Sequence, residues 1–192
     1  MTGPGCRLLA LGVTVSGWAV IAAAWLLNRD WFSPLHGAFS DLGSSRASHP
    51  YVFNMGLVAV AALLALLARC LYRAAGSKPA TVGAGYLGLA AVFLAQVGLF
   101  PEGTVFHNCV ALWFFLLADA GLLLYSLESW RRGGCCLAAL LSSAAMVPGA
   151  TIVELLVGWP STAALEAYAI ALLDAAIICI SLCSQEASSR TS

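Results

Sequence analysis

His36, Ser40 and Asp41 fall inside one nine-residue stretch, LHGAFSDLG (Leu35–Gly43), of a chain otherwise poor in polar side chains. An imidazole, a hydroxyl and a carboxylate this close in sequence could share protons, ligate a metal or hold a polar ligand. Ser33-Pro34 reads as an N-cap followed by proline at the first helical position. Gly43 reads as the stop, and Leu35, Phe39 and Leu42 recur at i, i+4 and i+7 between them. The spacing predicts a short helix lying in a membrane interface, with His36 and Ser40 sharing its opposite face. The plainer account is that Ser40 and Asp41 satisfy backbone amides where the loop bends into the next segment.

The elements around this stretch follow from composition. Hydrophobic residues make up 61% of the 192, and only 9% are charged, against roughly 25% in soluble domains. Such a chain cannot cover its surface with polar groups, so it is read as an integral membrane protein. The formal net charge is zero, which gives no electrostatic case for nucleic acid as a partner. Phosphate-binding loops, CxxC pairs, HExxH and nucleophile elbows are absent.

Six stretches are long enough to cross about 30 Å of hydrocarbon, near residues 7–27, 51–72, 82–100, 105–127, 135–157 and 162–184. The fold class expected is all-α, a single membrane domain over residues 1–192 built as a six-helix transmembrane bundle. The run after Arg7, with Ala22-Ala23-Ala24, has features of a signal peptide. It is longer than a usual signal core, so the first span is expected to be retained. With both termini in the cytoplasm, the inner side holds Arg7, Arg69, Arg73, Lys78, Arg131, Arg132 and Arg190, and the outer side only Arg29 and Arg46. That bias sets the expected orientation, with Trp25, Trp31 and Trp159 at the outer interface. Gly83, Gly85 and Gly88 in span three point to close helix approach.

On this topology His36, Ser40, Asp41, His49, Asn54, Gln96, Glu102, His107, Glu154 and Glu166 collect at the outer end. Histidines with carboxylates suit a transition metal, whose bound water could hydrolyse a lipid ester or amide. His36 and His107 are the metal candidates, although no two histidines lie at i, i+4 on one helix. No cofactor is otherwise expected. Asp119 and Asp174 fall deep in spans four and six, where a charged aspartate costs at least ~2.5–3.5 kcal/mol. They are read as a proton or cation pathway, or as interhelical glue with Thr14, Ser16, Ser142, Ser143 or Thr151 as partners. Cys6, Cys70, Cys135, Cys136, Cys179 and Cys183 sort to the cytoplasmic end, where they are expected to be reduced, small apolar residues. Cys179 and Cys183 at i, i+4 could alternatively join Cys135 or Cys136 around a metal. Cys109 has no pairing candidate on its side.

The segments AFSDLGSS, YVFNMGLV and GLFPEGTVFHN together resemble the bacterial and archaeal membrane family catalogued as domain of unknown function 998. The matching positions are Ser40, Asp41, Leu42, Gly43, Phe53, Asn54, Phe100, Pro101 and His107. A more distant likeness is to the DRAM-like membrane proteins, which carry an S-D-T-G loop. His36, His49 and the Glu102-Gly103 that follows Pro101 depart from the family pattern. The resemblance implies architecture and membrane location rather than chemistry. The expected role is non-enzymatic, with an outward polar pocket for a lipid headgroup or small ligand and the Ser40-Asp41 loop pinned over it near Asn54 and His107. A lipid-modifying hydrolase and an ion pathway remain the alternatives. Membrane lipid is the expected partner, with a place in a larger membrane complex or a homo-oligomer left open.

Overall fold

The computed structural model describes residues 4–131 and 137–189. The chain is all-α, with six long helices: α1 (Pro4–Leu27), α2 (Pro50–Ala74), α3 (Lys78–Leu99), α4 (His107–Arg131), α5 (Leu137–Leu156) and α6 (Thr162–Ser189). Each contains a stretch long and apolar enough to cross a membrane. In hydrocarbon a helix is one of the few ways to satisfy every backbone polar group within its own segment. Local chemistry sets the ends. The Ser77 hydroxyl accepts from the Ala80 amide at the start of α3, and Pro50 and Pro79 occupy the first turns of α2 and α3. Gly103 (φ +92°) and Gly158 (φ +77°) take left-handed backbone in the turns after α3 and α5, where a side chain would be strained.

Each helix packs against its neighbours in sequence, and α6 returns to α1 to close the ring. The broadest packing, between α3 and α4, centres on two glycines. A Cβ added to Gly83 would lie 2.6 Å from the Gly121 carbonyl oxygen, and one added to Gly121 2.7 Å from that of Gly83. The backbones touch, which lets dispersion act where lipid supplies no hydrophobic drive between helices. Leu64, Leu67 and Leu71 of α2, Leu87 of α3, Leu122 of α4 and Ile180 of α6 fill the main core.

The two deep aspartates differ. Asp174 accepts from the Thr14 hydroxyl on one oxygen and from the Trp18 indole N–H on the other, both at 2.9 Å, which ties α6 to α1. Asp119 is buried, and its Oδ1 has no hydrogen-bond partner.

Cys6 and Cys70 depart from the expectation of reduced thiols. They form a disulfide between α1 and α2, with Cα atoms 5.6 Å apart. Antiparallel packing brings the first turn of α1 beside the last turns of α2, and both cysteines are buried there. Cys109 and Cys179 are free. Cys135, Cys136 and the Cys183 side chain lie outside the described residues, as do Arg132 and Arg190, so the metal grouping around Cys179 has no described geometry.

The loop between α1 and α2 also differs from expectation. Residues 34–36 form a turn, and only Phe39–Gly43 is helical, as five residues of 3-10 helix. Leu35 is 64% exposed while Phe39 and Leu42 are buried, and the exposed His36 does not share a helical face with Ser40. The cause is competition for backbone groups. The Gly37 carbonyl accepts from the Ala163 amide at 2.8 Å. The Pro34 carbonyl accepts from the Ser161 hydroxyl at 2.6 Å, and the Asp41 carboxylate takes the Ala38 amide at 2.8 Å. Bonds to the start of α6 replace those a continuous helix would have made.

Candidate functional site

The loop is seated first by its own base. Asn28, 1% exposed, donates to the Ala24 carbonyl, while its Oδ1 accepts from the Trp31 indole and the Ser48 amide. This fixes both ends of the loop to one side chain. Arg46 lies over the Trp31 ring, 4.6 Å from its centroid, a cation–π contact that holds the arginine at the loop. Phe32, Phe39, Leu42 and Phe53 pack with Ile21, Ala24 and Ala163 in a small core beneath.

On that base, three segments far apart in sequence meet through carboxylates. The Ser40 hydroxyl donates to Glu102 Oε2 at 3.1 Å. The same oxygen lies 3.1 Å from His107 Nε2. His107 Nδ1 is 2.8 Å from the Phe100 carbonyl, which can only accept, so Nδ1 carries a hydrogen. His107 Nε2 and the Ser40 hydroxyl thus converge on one oxygen of Glu102. Glu166, in the first turns of α6, accepts the Phe39 amide through Oε2 at 2.6 Å. Asn54 donates to the Gly43 carbonyl at 2.9 Å, so the loop is fastened to α2 as well. A side chain at Gly43 would collide with Asn54, which explains glycine there.

Ser40, His107 and Glu166 line the mouth of a cavity of about 70 Å³ whose walls include Phe39, Phe53 and Phe115. A second cavity of about 90 Å³ lies further inward, lined by Thr14 and Asp174 among apolar residues. The two share Ile21, Leu57, Leu94, Phe114 and Ile170 as walls. Each is several times the ~10–15 Å³ that one water needs, and an apolar cavity tends to stay dry or take apolar matter.

Of the residues singled out by type and position, Ser40, Asp41, Asn54, His107 and Glu166 belong to this assembly. His36 and His49 are exposed, the latter stacked edge-on near Tyr51. The Gln96 side chain joins none of these bonds, although its backbone carbonyl ends α3 by accepting from Phe100. Glu154 is exposed and accepts weakly from the Trp159 amide at 3.4 Å in the α5–α6 turn. Among the described residues no three His, Cys, Asp or Glu gather closely enough to hold a metal ion. Glu102 carries more of the site than its position suggested. The available signal was a carboxylate just after Pro101, separated from His107 by one tight turn. Trp18 was also missed as a partner of Asp174, though Thr14 and Trp18 lie at i, i+4 on α1.

No curated protein and no solved structure matches the chain. The segments that build this mouth, from the loop through α2 and the turn into α4 to the start of α6, all lie within residues 11–182, over which the chain matches the family model described as protein of unknown function (DUF998), and the chain belongs to that family.

Proposed function

We propose that this multi-pass membrane protein is non-enzymatic and receives the headgroup of a membrane lipid, or a small ligand of similar polarity, in the cavity under the α1–α2 loop. The observation that carries the reading is the cavity itself, with Ser40, His107 and Glu166 at its mouth and aromatic and aliphatic walls behind. Ligand sites commonly combine apolar walls with a few convergent polar groups. The loop faces outward and both termini lie in the cytoplasm. Supporting this orientation, Arg69, Arg73 and Lys78 sit at the end opposite the loop, together with Arg7 and Arg131. A cysteine placed at exposed Leu35 in a Cys109→Ser background should react with an impermeant maleimide added to intact cells, and one at Lys78 should not. The opposite pattern inverts the orientation.

Mass spectrometry of molecules that co-purify with the protein tests the pocket. Wild type should carry a bound amphiphile, and Ile170→Trp, which fills the shared wall, should lose it while keeping its melting temperature. Equal recovery from both proteins removes the pocket from the account.

A lipid-modifying hydrolase is the second reading. One observation favours it: Ser40 and His107 share Glu102 at the cavity mouth. The hydroxyl points to the carboxylate rather than to the imidazole, so the arrangement differs from a Ser–His–Asp relay.

A further inference from the structure

Helix α1 is fastened differently along its length. At its loop end Asn28 ties it to Trp31 and Ser48. Near its middle Thr14 and Trp18 bond to Asp174 of α6. Before Thr14 the buried positions are Cys6, Ala10 and Val13, at i, i+4 and i+7, while Leu8 and Leu11 face outward and Leu9 is partly buried. Alanine and valine are small side chains and bury little apolar surface, so the Cys6–Cys70 bond is the principal hold on this end of α1. The same stretch serves the inner cavity, which Val13 and Thr14 line together with Leu173, Asp174 and Ile177 of α6.

The cross-link lies at the basic end of the bundle. Arg7 follows Cys6, Arg69 precedes Cys70, Arg73 and Lys78 come close behind, and all of these cations are exposed. In the orientation proposed above this end faces the cytoplasm. Glutathione and thioredoxin keep thiols reduced there, and the disulfides that do form are mostly transient. A cross-link in that place is one that opens and closes with the redox poise. The surroundings favour exchange. Glutathione is an anion, and an end with exposed cations raises its local concentration. Cys6 occupies the first turn of α1, where the helix dipole and Arg7 stabilise a departing thiolate.

We infer that Cys6–Cys70 is a redox latch, opened by a glutathione-class thiol, that fixes or frees the inner end of α1 and so the wall it gives the inner cavity. The external thiolate attacks Cys70 Sγ, forms a mixed disulfide and releases Cys6 as a thiolate, which takes a proton. A second thiolate attacks the external sulfur of that mixed disulfide and releases Cys70, which is protonated in turn. Two external thiols are oxidised to one disulfide, and the protein's disulfide is reduced to two thiols. Exposing the buried sulfurs requires only the end turns of α1 and α2 to part, and helix ends open readily. The latch rests on the orientation argued above and not on what occupies the pocket.

The first test is made in cells producing the full-length protein. Acid quenching, blocking of free thiols with N-ethylmaleimide, reduction and tagging with a maleimide–polyethylene glycol count the thiols that were in disulfides. Resting cells should show Cys6 and Cys70 untagged. Diamide should add a pair of tags that Cys6→Ser lacks, and washing it out should remove them. The second test follows amide exchange of the purified protein in reduced or oxidised glutathione. Exchange over residues 5–13 should be at least about tenfold faster in the reduced buffer, since a cross-link closing a loop this long is worth more than that factor in an equilibrium. Residues 33–48 should not change, and Cys6→Ser should exchange fast over 5–13 in both buffers. A pair that stays oxidised in every cell condition overturns the latch. Lys78→Cys then separates the two readings: shielded from impermeant maleimide, the orientation stands, and labelled, it falls as well. A pair that stays reduced in diamide, or exchange over 5–13 indifferent to the buffer, also overturns the latch.

Discussion

The two ends of the bundle are held together by different chemistry. At the loop end, distant segments meet through directional polar bonds: Ser40 and His107 on Glu102, Phe39 on Glu166, Asn54 on Gly43. Toward the other end, α1 and α2 are joined by the Cys6–Cys70 disulfide, and α3 and α4 meet backbone to backbone at Gly83 and Gly121. One end is built from polar groups that can exchange their partners for water or for other polar atoms. The other is built from contacts that have no alternative partner in water or lipid. Local opening draws on the weaker interactions, so it should begin at the loop end.

Perturbing the covalent end should produce the largest effect. Replacing Cys6 and Cys70 by alanine should cost about 4 kcal/mol, the scale for a cross-link closing a loop this long, read as a lower melting temperature with unchanged protection of the loop. If cells instead contain the free thiols, alkylation before lysis will shift both cysteines on a gel, and the far end is then reducible in place. Gly83→Val comes next, at about 2–3 kcal/mol for forcing a side chain into close-packed backbone. It should loosen α3 from α4 without releasing the loop.

Changes at the polar end should be smaller and local. Glu102→Ala leaves Ser40 and His107 without their shared acceptor and should cost about 1–2 kcal/mol, seen as faster amide exchange in residues 33–48 and little change in the helices. A matching fall in protection across all six helices would erase the distinction between the ends. Asp174→Ala strands Thr14 and Trp18 and should cost about 1–2 kcal/mol, near the upper range for interhelical bonds in membranes. Asp119→Leu should be neutral within ~0.5 kcal/mol or stabilising, since it removes a buried oxygen that has no partner. Strong destabilisation there would show that Asp119 works through a group it reaches only in the membrane.

How much of this was legible in the sequence depends on how local the cause is. The six helices could be read because apolar length is a property of each segment alone. The family followed from short motifs that survive intact, such as Ser40-Asp41-Leu42-Gly43 and Phe53-Asn54. The expected loop helix is shorter than its i, i+4, i+7 pattern suggested, reduced to Phe39–Gly43, because bonds to Ala163, Ser161 and Glu166, more than a hundred residues away, take its backbone groups. The disulfide escaped notice because pairing Cys6 with Cys70 depends on the register between α1 and α2, which hydropathy does not encode. Glu102 was visible as an outer carboxylate, but its central place depends on how tightly the Pro101–Thr104 turn folds.

The loop's dependence on α6 has a consequence for the order of synthesis. Phe39 waits for Glu166, and Pro34 for Ser161, each 127 residues further along the chain. At ~5–20 residues per second those partners leave the ribosome roughly 6–25 s after the loop does. The segment made near the beginning is therefore among the last to be finished, and a chain stalled before its final helix displays an undocked SDLG loop that a protease could cut.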